Sequence, residues 1–199
     1  MPLGFKEAME GRRSVYGICD ESPISAEEIL EIIDNSTKHV PSAFNSQSQR
    51  VAVLFGERHQ EFWGIVMETL RKIVLAENFR ATEKKINSFS AGCGTLLFYD
   101  DSSVTKGLME RFTPYKESFP VWAEQSNGML QFAIWAQLEA EGLGATIQHY
   151  NPIIDKDVKD AFNIPSDWRL IAQMPFGGPT EEPIEKVFVP IEKRVIVIE

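Results

Sequence analysis

The sequence predicts an α+β fold: a three-layer α/β/α domain around a mixed, mostly antiparallel central sheet, with residues 1–199 forming a single domain. Three observations carry that expectation. The short apolar runs RVAVLF at 50–55 and GTLLFYD at 94–100 read as buried strands. Helical patterns lie between the strands, but not at the regular spacing of repeated βαβ units. The stretch AEQSNGMLQFAIWAQLEAEGLG is apolar almost all round from Met129 to Leu138, so its helix has to be central.

Residues 3–11 fit a short helix that offers Leu3, Phe5 and Met9 for burial and stops at Gly11. In SPISAEEILEIIDNSTKHV, Ser25 and Glu28 form a capping-box pattern, and Ile29, Ile32 and Ile33 recur behind it at helical spacing. After the strand at 50–55, HQEFWGIVMETLRKIVLAENF reads as one long amphipathic stretch. SVTKGLMERF predicts a helix behind the second strand, and the central helix ends at the glycines of GLG, 142–144. Beyond it, ATIQHY predicts a strand, DKDVKDAF a helix, DWRLIAQMPFG a strand and EKRVIVIE a last strand. The run GGPTEEP is a turn-rich connection, too short to divide the chain.

Composition narrows the function classes. The chain is 43% hydrophobic and 25% charged, an ordinary globular balance, and its 11% aromatic content supplies either a core or an apolar cleft. A formal net charge of -9 argues against nucleic acid and against anionic lipid, which are bound by basic surface. A small anionic ligand then needs a local convergence of Lys and Arg. Cys19 and Cys93 form no CxxC pair and no disulfide framework, as for reduced thiols in a cytosolic protein. The start MPLGFKEAMEGRR has no apolar signal core, and no run approaches membrane-spanning length, so a cytoplasmic protein is expected.

Three polar elements stand out. Arg12, Arg13 and Ser14 either form a phosphate site, guanidinium forks beside a hydroxyl, or a solvated basic helix end. In PSAFNSQSQR, Ser42, Asn45, Ser46 and Gln47 gather donors and acceptors ahead of an apolar strand. They suit the edge of a planar heterocycle, or a polar turn with a capping serine. In EGLGATIQHYNP, Gly142 and Gly144 permit either a close approach of backbone to a ligand or a plain helix stop. His149 reads as a structural residue more readily than as a general acid. His39, His59 and His149 lack close ligand spacing, so no metal site is expected, and there is no GxSxG elbow, no GxxxxGK[ST] loop and no GxGxxG turn after a strand.

Taken in order, RRS near the first helix, PSxxNxQ before the first strand, and GLG followed by a strand resemble the nitroreductase family of FMN flavoproteins. The likeness runs along essentially the whole chain. Its wording is most similar to the branch holding fatty-acid-repression and copper-induced nitroreductase-like proteins. The resemblance implies the nitroreductase-like fold and a homodimer that binds FMN at the subunit interface. Carried over by residue, Arg12 and Ser14 hold the phosphate with Arg13 nearby. Ser42, Asn45 and Gln47 touch the ribityl chain and ring edge, Ser42 from the other subunit. Gln148 and His149 stand where family backbone amides approach the ring, which gives His149 a role through its N–H. Three departures are visible: Tyr16 stands where many relatives have a basic residue, QSQ replaces the usual QPW, and the basic pair near the carboxyl end is broken, leaving Lys186 or Arg194, with Arg194 favoured.

The same resemblance implies an FMN-dependent NAD(P)H oxidoreductase. Hydride from NADH or NADPH passes via flavin N5 to a nitroaromatic or quinone acceptor in a ping-pong cycle, in a setting of oxidative or metal stress. No residue is assigned as catalytic acid or base. In ERFTPYKESFPVW, Phe112, Tyr115 and Phe119 either stack on a planar acceptor or are ordinary core and interface aromatics. The alternative function is a flavin-binding regulatory module with little turnover.

Overall fold

β3 (Gly94–Asp101) is the axis of the molecule, buried along nearly its whole length between two antiparallel neighbours. In the computed structural model, which describes residues 2–199, it pairs with β2 (Gln49–Phe55) on one side and β5 (Trp168–Pro179) on the other. β1 (Ile18–Cys19) and the short β4 (Gly144–Ala145) both join β5, which completes a 5-stranded sheet whose ladders are all antiparallel. The register places Val51 opposite Phe98, and Phe98 opposite Ala172, with an irregularity after Phe98.

Alternation along β3 sorts the two cores, because successive side chains leave opposite faces of a strand. Leu96 and Phe98 pack with Ile29, Ile33, Leu130, Ile134 and Leu138, from α2 (Ala26–His39) and α6 (Phe119–Ala140). Leu97 and Tyr99 pack the other way, against Phe62, Trp63, Val66, Ile86, Phe89 and Val158. Those come from α3 (Gly56–Arg71), α4 (Phe79–Ser90) and α7 (Asp155–Phe162). The three layers are thus two helical layers around one sheet, and α1 (Phe5–Gly11) and α5 (Ser102–Arg111) complete the seven helices of the described residues.

Local chemistry sets the ends. The capping box at α2 is present in both directions: Ser25 Oγ accepts from Glu28 N at 3.2 Å, and Ser25 N donates to Glu28 Oε2 at 2.8 Å. α6 starts four residues before the stretch identified from periodicity, with Pro120 in its first turn, where a missing N–H costs nothing. Although mostly apolar, α6 is fixed on β3 by Asn127 Nδ2, which donates to Tyr99 O at 3.0 Å, and Gln131 Nε2 donates to Asn127 Oδ1 at 2.7 Å.

The structure corrects the sequence reading in four places. Leu3, Phe5 and Met9, offered for burial, stay exposed, and α1 buries Ala8 instead. The long amphipathic stretch ends at Arg71, and a separate helix, α4, follows where FRATEKKINSFS gave no prediction. The strand expected in ATIQHY shrinks to a single bridge, Gln148 with Gln173, beyond β4. EKRVIVIE forms no strand: residues 184–199 are exposed throughout, with Val195, Ile196, Val197 and Ile198 facing solvent. Cys19 and Cys93 are both free, and burial pushes the Cys93 thiol up to about 11, a poor nucleophile. No helix of the described residues is long and apolar enough to cross a membrane.

Candidate functional site

Two of the three polar elements meet within one chain. Where α1 ends, the backbone of residues 14 and 15 runs beside β4: Ser14 bridges Ala145 in parallel, and Val15 N donates to Ala145 O at 3.0 Å. Gly142 takes φ +83°, a turn that excludes most side chains, and a Cβ on Gly144 would lie 3.0 Å from Val15 Cγ1. The glycines therefore serve both the helix stop and the close packing of these two strands. Around the junction lies a cavity of about 510 Å³, whose wall includes Gly11, Arg13, Val15, Gly142, Gly144 and Glu139.

The two arginines diverge. Arg12 lays its guanidinium 4.1 Å from the centroid of the Trp135 ring on α6. Burial holds its pKa below the ordinary value, the charge of Arg13 acts in the same sense, and Glu139 opposes both. Burial in turn raises the Glu139 carboxyl, against the pull of Arg12. Arg13 instead donates through Nη2 to the carbonyl of Ile184, at the root of the exposed tail. Ser14 is exposed beside them.

The third element sits at the other end of α6. Residues 43–45 form a 3₁₀ turn in which Phe44, Asn45 and Gln47 have φ of 56°, 51° and 48°. Ser42 holds the turn: its Oγ accepts from Gln47 N at 2.9 Å and its carbonyl accepts from Asn45 N at 3.0 Å. Accepting that bond leaves the Ser42 hydroxyl proton free to donate elsewhere. Asn45 and Gln47 are exposed. Behind the turn stands an aromatic cluster in which Phe44 meets Phe112, Tyr115, Phe119 and Trp122, with ring centroids between 4.9 and 6.0 Å apart. Within it Phe119 is buried, whereas Tyr115 is exposed.

Trp122 and Trp135 lie on one helix, so at roughly 1.5 Å per residue the aromatic end and the Arg12 end are about 20 Å apart. In a single chain, 12–14 and 42–47 therefore face different regions. Gln148 is engaged internally: its N–H donates to Gln173 O at 2.7 Å, and its side-chain amide reaches Thr146 Oγ1 and Ile147 O. His149 next to it is exposed. Arg194 closes a 3₁₀ turn in the exposed tail. Lys186, in the same tail, places Nζ 5.2 Å from the centroid of the Phe188 ring.

Three residues escaped the sequence reading. Phe44 was a signal in plain view, a large apolar side chain within a polar run, and Trp122 stands three residues beyond Phe119. Trp135 had no signal apart from its helix, since only the fold sets it under Arg12. An anion with a flat polar ring fits the groups available. Among the described residues four buried side-chain atoms have no hydrogen-bond partner: Trp135 Nε1 and Ser48 Oγ, one beside each of these ends, and Tyr99 Oη and Asp155 Oδ1 away from both. Such groups are costly to leave unpaired.

Comparison with known proteins adds the following. Residues 9–178 match a family model described as "Nitroreductase family". The chain is 31% identical over 187 residues to HBN1 of Saccharomyces cerevisiae, named as a nitroreductase, and the match covers 93% of each protein. It is 28% identical over 191 residues to the nitroreductase FRM2 of the same yeast, covering 94% of this chain and 95% of that one. The solved structure of nitroreductase CinD from Lactococcus lactis with 4-nitrophenol superposes at a TM-score of 0.89, with 36% identity over 98% of this chain and 100% of CinD.

Proposed function

The chain belongs to the nitroreductase family, and from that premise we propose that it is an FMN-dependent NAD(P)H oxidoreductase acting on nitroaromatic or quinone acceptors. The observation that carries this reading is the arrangement of the polar groups along α6: cations and Ser14 at one end, amides and stacked aromatics at the other. Arg12 and Ser14 would hold the FMN phosphate. Arg13 would fix the tail beside it. Ser42, Asn45 and Gln47 would meet the ribityl chain and ring edge, with His149 supplying a backbone donor. FMN, when bound, would supply the redox chemistry, hydride acceptance at N5 from NADH or NADPH and electron delivery to the acceptor. Phe112, Tyr115 and Phe119 would wall the cleft that nucleotide and acceptor occupy in turn, which gives ping-pong kinetics. The CinD complex with 4-nitrophenol supports nitroaromatics as the acceptor class. A place in the response to oxidative or metal stress belongs to the same proposal.

The same arrangement favours a homodimer. Two copies with antiparallel α6 helices bring the 42–47 turn of one beside the Arg12 end of the other, twice, by a single two-fold axis. An apolar stripe suited to that contact is exposed on α6, at Val121, Met129 and Phe132, and continues on α1 at Phe5 and Met9. The β-branched tail pairs with no strand of its own chain among the described residues, while β2 is an open sheet edge. It would cross to the neighbouring subunit, and the described chain would act as one domain of a two-chain site.

The test is spectroscopic. Protein purified without added cofactor is expected to show a flavin absorption band that bleaches when NADH or NADPH is added without oxygen. A band that stays oxidised with both nucleotides would favour a flavin-binding regulatory module with little turnover. Protein that carries no flavin and binds no added FMN would end the flavoenzyme reading.

A further inference from the structure

Phe44 combines three properties that rarely coincide. Its backbone lies at φ 56° and ψ 22°, the left-handed region, which a bulky side chain occupies only when its surroundings impose it. The anchors are at hand: Ser42 holds residues 45 and 47 through backbone N–H groups, and Arg50 Nη1 donates to Gln47 O at 2.7 Å. Its ring is the hub of the aromatic cluster, edge-on to Phe119 at 5.4 Å and within 21° of parallel to Trp122 at 6.0 Å. Yet the residue is 50% exposed, where Phe119 in the same cluster is 3% exposed. A ring needed only for the core would be turned inward, and a turn needed only for its shape would carry Gly or Asn at this φ.

We propose that Phe44 is the specificity-determining residue for the acceptor: its open ring face is the platform on which a flat, electron-poor aromatic ring stacks. This rests on the flavoenzyme reading above, which puts its neighbours Ser42, Asn45 and Gln47 against the cofactor. The strained turn leaves the residue half exposed in the single chain, with Trp122 near-parallel to its ring. An electron-poor nitroarene gains from the electron-rich face, while a compact non-aromatic acceptor gains nothing there. Phe44, more than Phe112 or Phe119, then separates nitroaromatics from other electron acceptors.

The experiment uses the FMN-loaded protein and three variants, Phe44→Ala, Phe44→Leu and Phe44→Tyr. Binding of 4-nitrophenol to the oxidised protein is followed by quenching of tryptophan fluorescence, without turnover. Phe44→Ala and Phe44→Leu are expected to weaken binding about three- to ten-fold, with Phe44→Tyr restoring it. The ratio of kcat/KM for 4-nitrophenol to that for ferricyanide should fall by a similar factor in the first two. Leucine keeps apolar bulk without a ring face, so it decides the matter if the alanine variant folds poorly. Binding unchanged in Phe44→Leu, or an equal loss for both acceptors, would overturn the assignment. A wild-type protein that takes up no FMN would instead overturn the reading on which it rests.

Discussion

The guanidinium of Arg12 lies 4.1 Å from the centroid of the Trp135 ring, and the indole N–H of that ring is buried with no acceptor among the described residues. A half-buried cation and an unspent donor thus stand together, where the end of α1 meets α6. Such a pair is preorganised for an anion, because the cost of orienting and partly desolvating the charge has been met in the fold.

Arg12→Ala is accordingly expected to weaken FMN binding by roughly ten- to a hundredfold, the loss of a hydrogen bond to a charged group, about 1.5–3 kcal/mol. Arg13→Ala should lose less, because its guanidinium serves the Ile184 carbonyl. A fluorescence titration with FMN compares the two, and an equal or reversed order would contradict the division of roles.

Acid should destabilise the protein through His59. This buried imidazole has Ser90 O at 3.1 Å from Nε2 and Thr95 Oγ1 at 2.8 Å from Nδ1. A carbonyl only accepts, so Nε2 carries the proton, Nδ1 accepts from the Thr95 hydroxyl, and Thr95 Oγ1 in turn accepts from Trp63 Nε1 at 2.9 Å. The network needs neutral histidine, and burial lowers its pKa from 6.5, against the Ser90 carbonyl. The unfolded chain therefore takes up the proton first. Stability from this site is complete above the unfolded value and falls as pH drops through it toward the folded one, by at most about 1.4 kcal/mol per pH unit. Urea unfolding of wild type and His59→Gln at about pH 7.5 and pH 5 should show a smaller pH dependence in the variant.

Removal of residues 184–199 should leave the folded core intact and dissolve the proposed dimer. The segment is exposed, with Val187, Ile196 and Ile198 facing solvent, so the single chain gives up little buried surface with it. Light scattering is expected to report a monomer, with FMN affinity reduced because the two halves of each site separate. A truncated protein that stays dimeric and retains flavin would remove the tail from the interface.

Much of the fold was legible because it rests on local pattern. The capping box of Ser25 and Glu28 marks α2 from sequence alone, and a run as apolar as GTLLFYD has no stable place except inside a sheet. α4 was hidden because FRATEKKINSFS carries few apolar residues, and its buried Ile86 and Phe89 find their place only against Trp63 and Leu97. EKRVIVIE misled for the opposite reason: β propensity describes a side chain fitted to a pleated neighbour, and the chain supplies no such neighbour there.

The sequence by itself determined which chemical groups are present, where α2 begins and where α6 stops, and, by the order of its three polar elements, the family it resembles. Only the tertiary structure decided which of those groups meet. It joined 12–14 to 142–145 through the Ser14 and Ala145 bridge, moved 42–47 to the far end of α6, engaged Gln148 with Gln173, and turned Phe44 outward. The reason is physical: capping and periodicity act over a few residues, whereas a site is set by the packing of distant segments on one sheet, and that packing is not written in any single stretch.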